Sequence, residues 1–144
     1  MTGSQEVPPT GSPGTGLSMV QLNDGADTIT VNTSFSGLEA PATLAHIHGP
    51  APVGVNAPVL FPFTGVPNAI SGTIPTQAFT LTTTQIGQLE AGLFYVNVHT
   101  TSFPNGEIRG QLFRVPEPTT LGLLGLGLAG AATMLRRRDT GIDA

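Results

Sequence analysis

Apolar and polar residues alternate with a period of two in a series of short runs through the first 114 positions, the pattern of strands with one buried face. Leu17-Ser18-Met19-Val20-Gln21-Leu22 predicts a strand, Asn23-Asp24-Gly25 a turn suited to positive φ, and residues 28–35 the hairpin partner. Residues 44–48 predict a short strand that runs into the loop 49–56. Residues 59–63 predict another strand, placed at a sheet edge because Pro62 cannot donate to a ladder. Residues 69–74 and 78–81 extend the sheet. One short helix is expected over 85–91, with Thr84 as N-cap and Gly92 as the left-handed stop. Residues 93–100 and 107–114 form a last hairpin, whose turn Phe103-Pro104-Asn105-Gly106 places Pro at its second position and Gly at its fourth. Short strands at this spacing predict an all-β Greek-key sandwich or barrel over residues 1–114.

The alternation stops at Val115-Pro116-Glu117-Pro118, a rigid stretch that neither continues a strand nor starts a helix within itself. Residues 119–135 then run 17 positions without a charge, Leu alternating with Gly122, Gly125, Gly127 and Gly130. As a helix this run would span ~26 Å at ~1.5 Å per residue, the short end for a bilayer. Arg136, Arg137 and Arg138 follow directly, the cluster that holds a membrane segment's cytoplasmic end. The expectation is a sorting and transmembrane segment over 115–138, including a C-terminal hydrophobic helix, with a short tail at 139–144.

Composition narrows the classes. Gly and Pro make 32 of 144 residues, Thr contributes 20, and only 10% of positions are charged, which favours strands and tight turns over a helical bundle. The first 114 residues hold Arg109 and Arg114 against six acids, and the chain has no Lys. Nucleic-acid partners are excluded, since phosphates require cations. With no Cys there is no disulfide framework, thiolate site or Cys nucleophile. No Gly-x-Ser-x-Gly elbow and no Gly-rich phosphate loop before a helix occur. No catalytic residues are assigned, and an enzymatic role is not expected. The N-terminus has neither a basic region nor an apolar run, so an exported protein would need a start further upstream, with its first strand truncated here.

The chemistry concentrates on three histidines. His46 and His48 are two apart in a strand and share a face, with Ile47 on the other. In Tyr95-Val96-Asn97-Val98-His99, Val96 and Val98 read as core, which leaves His99 on the outer face with Tyr95 and Asn97. Three imidazoles on one face of two strands are a candidate copper or zinc site. The alternative is structural, the imidazoles bonding loop carbonyls near Gly49 and Pro50. On the final strand Glu107, Arg109 and Gln111 share a face, which brings Glu107 and Arg109 near His99. Glu107 would then accept from a metal-bound imidazole. Arg109 would pair with Glu107 or guide an anion, or the two would form a solvated pair worth ~0–1 kcal/mol.

Gly3-Ser4-Gln5-Glu6-Val7-Pro8-Pro9, Ala45-His46-Ile47-His48-Gly49-Pro50-Ala51, Leu93-Phe94-Tyr95-Val96-Asn97-Val98-His99-Thr100 and Pro104-Asn105-Gly106-Glu107-Ile108-Arg109-Gly110-Gln111-Leu112 follow in order, and they make residues 1 to about 113 resemble the CHRD domain. The resemblance implies a sandwich similar in fold to Cu/Zn superoxide dismutase, where a His-x-His strand also supplies metal ligands. It does not imply dismutase activity: the chain lacks that family's disulfide and has too few His for two metals. Phe103 stands where the family often has Asn or His, so that position offers no fourth ligand. Pro116-Glu117-Pro118, the apolar run and the Arg cluster resemble a PEP-CTERM signal. That implies processing by an exosortase-type membrane protease and delivery to the cell surface or an exopolysaccharide matrix. The function expected is a surface-anchored β-sandwich of the envelope or extracellular matrix. Its expected partner there is a matrix polysaccharide; a mononuclear copper protein with redox or dismutase-like activity, and a modulator that binds a secreted protein, are the alternatives.

Overall fold

A computed structural model describes residues 1–115, of which Met1–Arg114 form one compact unit. Seven strands follow in order: β1 (Thr15–Asn23), β2 (Thr28–Ser36), β3 (Ala42–His48), β4 (Val59–Pro62), β5 (Gly72–Thr80), β6 (Tyr95–Thr100) and β7 (Ile108–Gln111). The helix α1 (Thr83–Glu90) joins β5 to β6, and a 3-10 turn covers Gly3–Gln5. The strands form two antiparallel sheets, in the orders β1-β2-β5 and β4-β3-β6-β7.

The core fills from inward positions of both sheets. Ile29, Val31, Phe35 and Ile74 come from the three-stranded sheet; Ala45, Ile47, Val96, Val98 and Ile108 come from the four-stranded one. Phe94, just before β6, is fully buried beneath Gly49, where a Cβ would lie 2.5 Å from its ring. Pro62 ends the edge strand β4, the position a residue without an N–H tolerates. Thr2 bridges to both Thr15 and Arg109, so the N-terminal residues link the edge strands β1 and β7.

Three local expectations change. The β1–β2 loop spans four residues, and the positive φ (51°) falls at Asp27 rather than Gly25, since Asp tolerates the left-handed region. Residues 69–74 and 78–81 do not form two strands. One strand, β5, passes through Pro75, and a register shift opposite Asn32 absorbs the residue that cannot join the ladder. The helix is capped by Thr82, not Thr84, because Gln85 then stands at its third position and completes a reciprocal capping box. The stop at Gly92 (φ 71°) is as expected.

Among the described residues no helix is long and apolar enough to cross a membrane. The expected hydrophobic helix over 119–135, the Pro116-Glu117-Pro118 motif, Arg136 to Arg138 and the tail 139–144 lie outside the described residues.

Candidate metal centre

Strands β3 and β6 are neighbours at the middle of the four-stranded sheet, with Ile47 opposite Val96, His46 opposite Asn97 and His48 opposite Tyr95. Since Ile47, Val96 and Val98 face the core, the alternate residues His46, His48, Asn97 and His99 turn to the outer face. One ligand nitrogen from each of His46, His48 and His99 lies within 4.8 Å of the other two. His46 Nδ1 is 3.1 Å from His99 Nε2. A tetrahedral ion with ~2.0–2.1 Å bonds holds its nitrogens ~3.3 Å apart, close to the separation of the His46 and His99 nitrogens.

The surroundings fix which nitrogens are free. His48 Nδ1 donates to the Ala57 carbonyl at 2.9 Å, and His99 Nδ1 donates to the Pro104 carbonyl at 2.9 Å. Both donations leave Nε2 as the acceptor nitrogen of its ring, the arrangement that also orients metal-bound imidazoles. His48 Nε2 is buried and has no hydrogen-bond partner, a costly condition that a bound cation relieves. The donor set therefore fits a copper or zinc ion.

All three rings are held in the neutral form. Burial, and then the charges His99 and His48 would carry, push His46 down to about 4. Burial also lowers His48, opposed by its bond to Ala57, and lowers His99, opposed by the bond to Pro104. A neutral ring keeps a lone pair available for a ligand.

Two neighbours named from the sequence sit elsewhere than expected. Glu107 is fully buried, and its carboxylate accepts from Ser12 Oγ (2.6 Å), the Glu39 amide (2.7 Å) and Thr100 Oγ1 (2.7 Å). Those bonds tie the N-terminal segment and the β2–β3 loop to the last hairpin, and none goes to a histidine. Arg109 is 1% exposed, which leaves no route by which it would steer an anion from solvent. It donates to the Val55 carbonyl (2.9 Å) and Asn56 Oδ1 (3.2 Å), and its guanidinium lies 3.4 Å from the centre of the Tyr95 ring. Tyr95 in turn stacks on His48, with ring planes 5° apart. Arg109 thus fastens the loop 49–58 while Tyr95 carries both it and the histidine. The one ion pair among the described residues is the surface pair Arg114–Glu90.

Glu6 was not expected here. It is 6% exposed, its Oε1 has no partner, and burial raises it to about 7 against the opposing pull of Arg109. It packs against Gly106, whose φ of +125° and close contacts with Glu6 and Asn97 require glycine. No spacing rule links residue 6 to residues 97 and 106; only the path of the N-terminal segment across β7 does.

A two-sheet β domain with three outward histidines, followed by a proline-bounded apolar tail, defines the class. A CHRD domain model matches residues 1–112, and a PEP-CTERM protein-sorting motif matches residues 114–138. The chain belongs to the CHRD-domain family. It is an exported protein, and its sorting signal is of the type processed by exosortase, a membrane enzyme. No curated protein and no solved structure matches it.

Proposed function

We propose that this protein is displayed at the bacterial cell surface or in its extracellular matrix, where its β-sandwich binds one copper or zinc ion through His46, His48 and His99. The observation that carries the reading is the gathering of one nitrogen from each imidazole within 4.8 Å of the others, with His48 and His99 held through Nδ1 by Ala57 and Pro104 so that each presents Nε2 as an acceptor. The three chain crossings between sheets, at β2–β3, β4–β5 and β5–β6, support a Greek-key connectivity akin to Cu/Zn superoxide dismutase. Display follows from exosortase processing and from membrane passage of the run 119–135. Calorimetric titration of the full chain with Cu(II) and Zn(II), with NMR of the imidazoles, tests the reading. It expects about one equivalent bound, all three histidines shifted, and loss of binding in His46→Ala and His99→Ala that remain folded. No binding at micromolar metal overturns it and leaves the imidazoles as scaffold.

A second reading rests on the outer face of the β1-β2-β5 sheet. Thr15, Leu17, Ser34, Ser36 and Thr73 line a shallow groove there with no charged residue. Such a surface suits a neutral matrix polysaccharide, with hydroxyl partners and no charge to desolvate. Binding of neutral glycans that Leu17→Glu abolishes supports it; glycan binding insensitive to that change refutes it.

A further inference from the structure

We propose that the three-histidine centre takes copper as the cuprous ion, Cu(I), in preference to divalent ions, and that the buried guanidinium of Arg109 sets this preference; this rests on the three-histidine reading above. One stack of groups joins Arg109 to the histidines. Tyr95 stands on β6, between β3 and β7. Its ring has His48 of β3 on one side, with centroids 4.9 Å and planes 5° apart, and Arg109 of β7 on the other, 3.4 Å from the ring centre. The guanidinium is buried, and its bonds to the Val55 carbonyl and Asn56 Oδ1 hold it in place. Neither acceptor carries a charge, so Arg109 is a fixed cation. That charge reaches the ligand ring: burial, and in the same direction the Arg109 charge, lower His48 against its bond to Ala57.

The rest of the centre does little to offset the cation. Its donors are three neutral imidazoles, and among the described residues no Asp or Glu joins them. Glu107 is occupied by Ser12, the Glu39 amide and Thr100. Glu6, a carboxyl on which Arg109 acts, is pushed up to about 7 by burial, so at pH 6 it is mostly protonated. The strand neighbours on the outer face are apolar and exposed: Leu44 lies two residues before His46, Val59 is opposite His48, and Pro62 is opposite His46. An ion with one charge loses less beside a fixed cation than an ion with two. Two stacked rings put roughly 8–10 Å between the guanidinium and an ion at His48 Nε2, and at an effective dielectric of ~20 the guanidinium weighs about tenfold against each added unit of ion charge. Three neutral donors also complete the coordination of Cu(I), whereas zinc and Cu(II) take a fourth ligand or more.

The test uses the full chain at pH 6. Cu(I) is supplied as its acetonitrile complex under argon, Zn(II) is titrated separately, and each affinity is read by competition with a chromophoric chelator. The wild type is expected to hold Cu(I) at least about tenfold more tightly than Zn(II), with all three imidazole signals shifted, since Cu(I) is diamagnetic. Arg109→Gln removes the charge and should lower the Cu(I):Zn(II) affinity ratio about tenfold, while Arg109→Lys keeps the charge and should keep the ratio. A role confined to packing would weaken both ions by the same factor, so the ratio separates the charge from the scaffold. Zn(II) bound as tightly as Cu(I) by the wild type overturns the preference, and an unchanged ratio in folded Arg109→Gln overturns the assignment to Arg109. If that variant fails to fold, Arg109→Met, which keeps an apolar stem against Tyr95, is read in its place. Failure to bind Cu(I), Cu(II) and Zn(II) alike removes the three-histidine reading, and the preference falls with it. Zn(II) bound through all three histidines with no gain for Cu(I) removes only the preference.

Discussion

Replacing Glu107 separates a structural carboxylate from one that serves the histidines. Its two oxygens take three hydrogen bonds at 2.6–2.7 Å, from Ser12, the Glu39 amide and Thr100, at a residue with no solvent exposure. Hydrogen bonds to a charged group are worth about 1.5–3 kcal/mol each, offset by a desolvation cost of several kcal/mol for the buried charge. Glu107→Leu removes every acceptor and leaves the donors of three separate segments unpaired, at about 1–3 kcal/mol each where water does not reach them. The expected loss is about 3–5 kcal/mol, or a fall in Tm of roughly 10–25 °C for a domain of this size. Glu107→Gln keeps the shape and one acceptor oxygen, and the Thr100 hydroxyl can reverse to accept, so its loss is about 1–2 kcal/mol. Urea unfolding followed by circular dichroism and by fluorescence of the single tyrosine, Tyr95, in a chain without Trp, measures both. Zn(II) affinity of the folded Gln variant should equal that of the wild type. A Gln variant of undiminished stability that has lost tenfold or more in metal affinity would refute the reasoning and place Glu107 at the metal centre.

Three further outcomes follow from the same geometry. The folded state holds His46 near 4 against an ordinary 6.5, so the unfolded chain gains its proton first and stability is lost as pH falls from 6.5 toward 4; for this half-buried ring the loss is about 1–2 kcal/mol. Glu6, raised from 4.5 to about 7, acts oppositely: its contribution is full below 4.5 and gone above 7. Metal-free Glu6→Gln should therefore show a steeper acid loss of urea stability than the wild type, and His46→Gln a shallower one; parallel profiles would contradict both assignments. Gly106→Ala, at φ +125° and against Glu6, should cost roughly 2–4 kcal/mol by thermal melting, and a neutral result would show that the close approach to Glu6 relaxes freely. Changing Pro116-Glu117-Pro118 to alanines, in an exosortase-bearing host and behind a functional export signal, should abolish C-terminal processing; unaltered processing would sink the sorting assignment.

Much of the two-sheet fold is legible because its strands obey period-two alternation around β-branched residues. Ile29 and Val31, Val96 and Val98 face inward where the pattern places them. The misjudged pieces lie where local chemistry competes with the pattern. A capping box depends on a partner three residues away, so Thr82 outcompetes Thr84 through Gln85. A strand can carry Pro75 only with a register shift, and the partner that permits it is the distant residue Asn32.

The site divides along the same line. His46, His48 and His99 could be grouped from the sequence because a shared face is a matter of parity within two strands. The placements of Glu107 and Glu6 could not be read that way, because both are set by the N-terminal segment. Ser12 reaches across 95 positions to Glu107, and Glu6 reaches Gly106 over a similar span. Parity predicts which way a side chain faces, but not which loop will lie on it. Glu107 was expected beside His99 because the two strands pair; instead a hydroxyl and an amide from other segments reach its carboxylate. The same segment that removes Glu107 from the histidines brings Glu6 against Gly106, a buried carboxyl that no strand pattern could have placed.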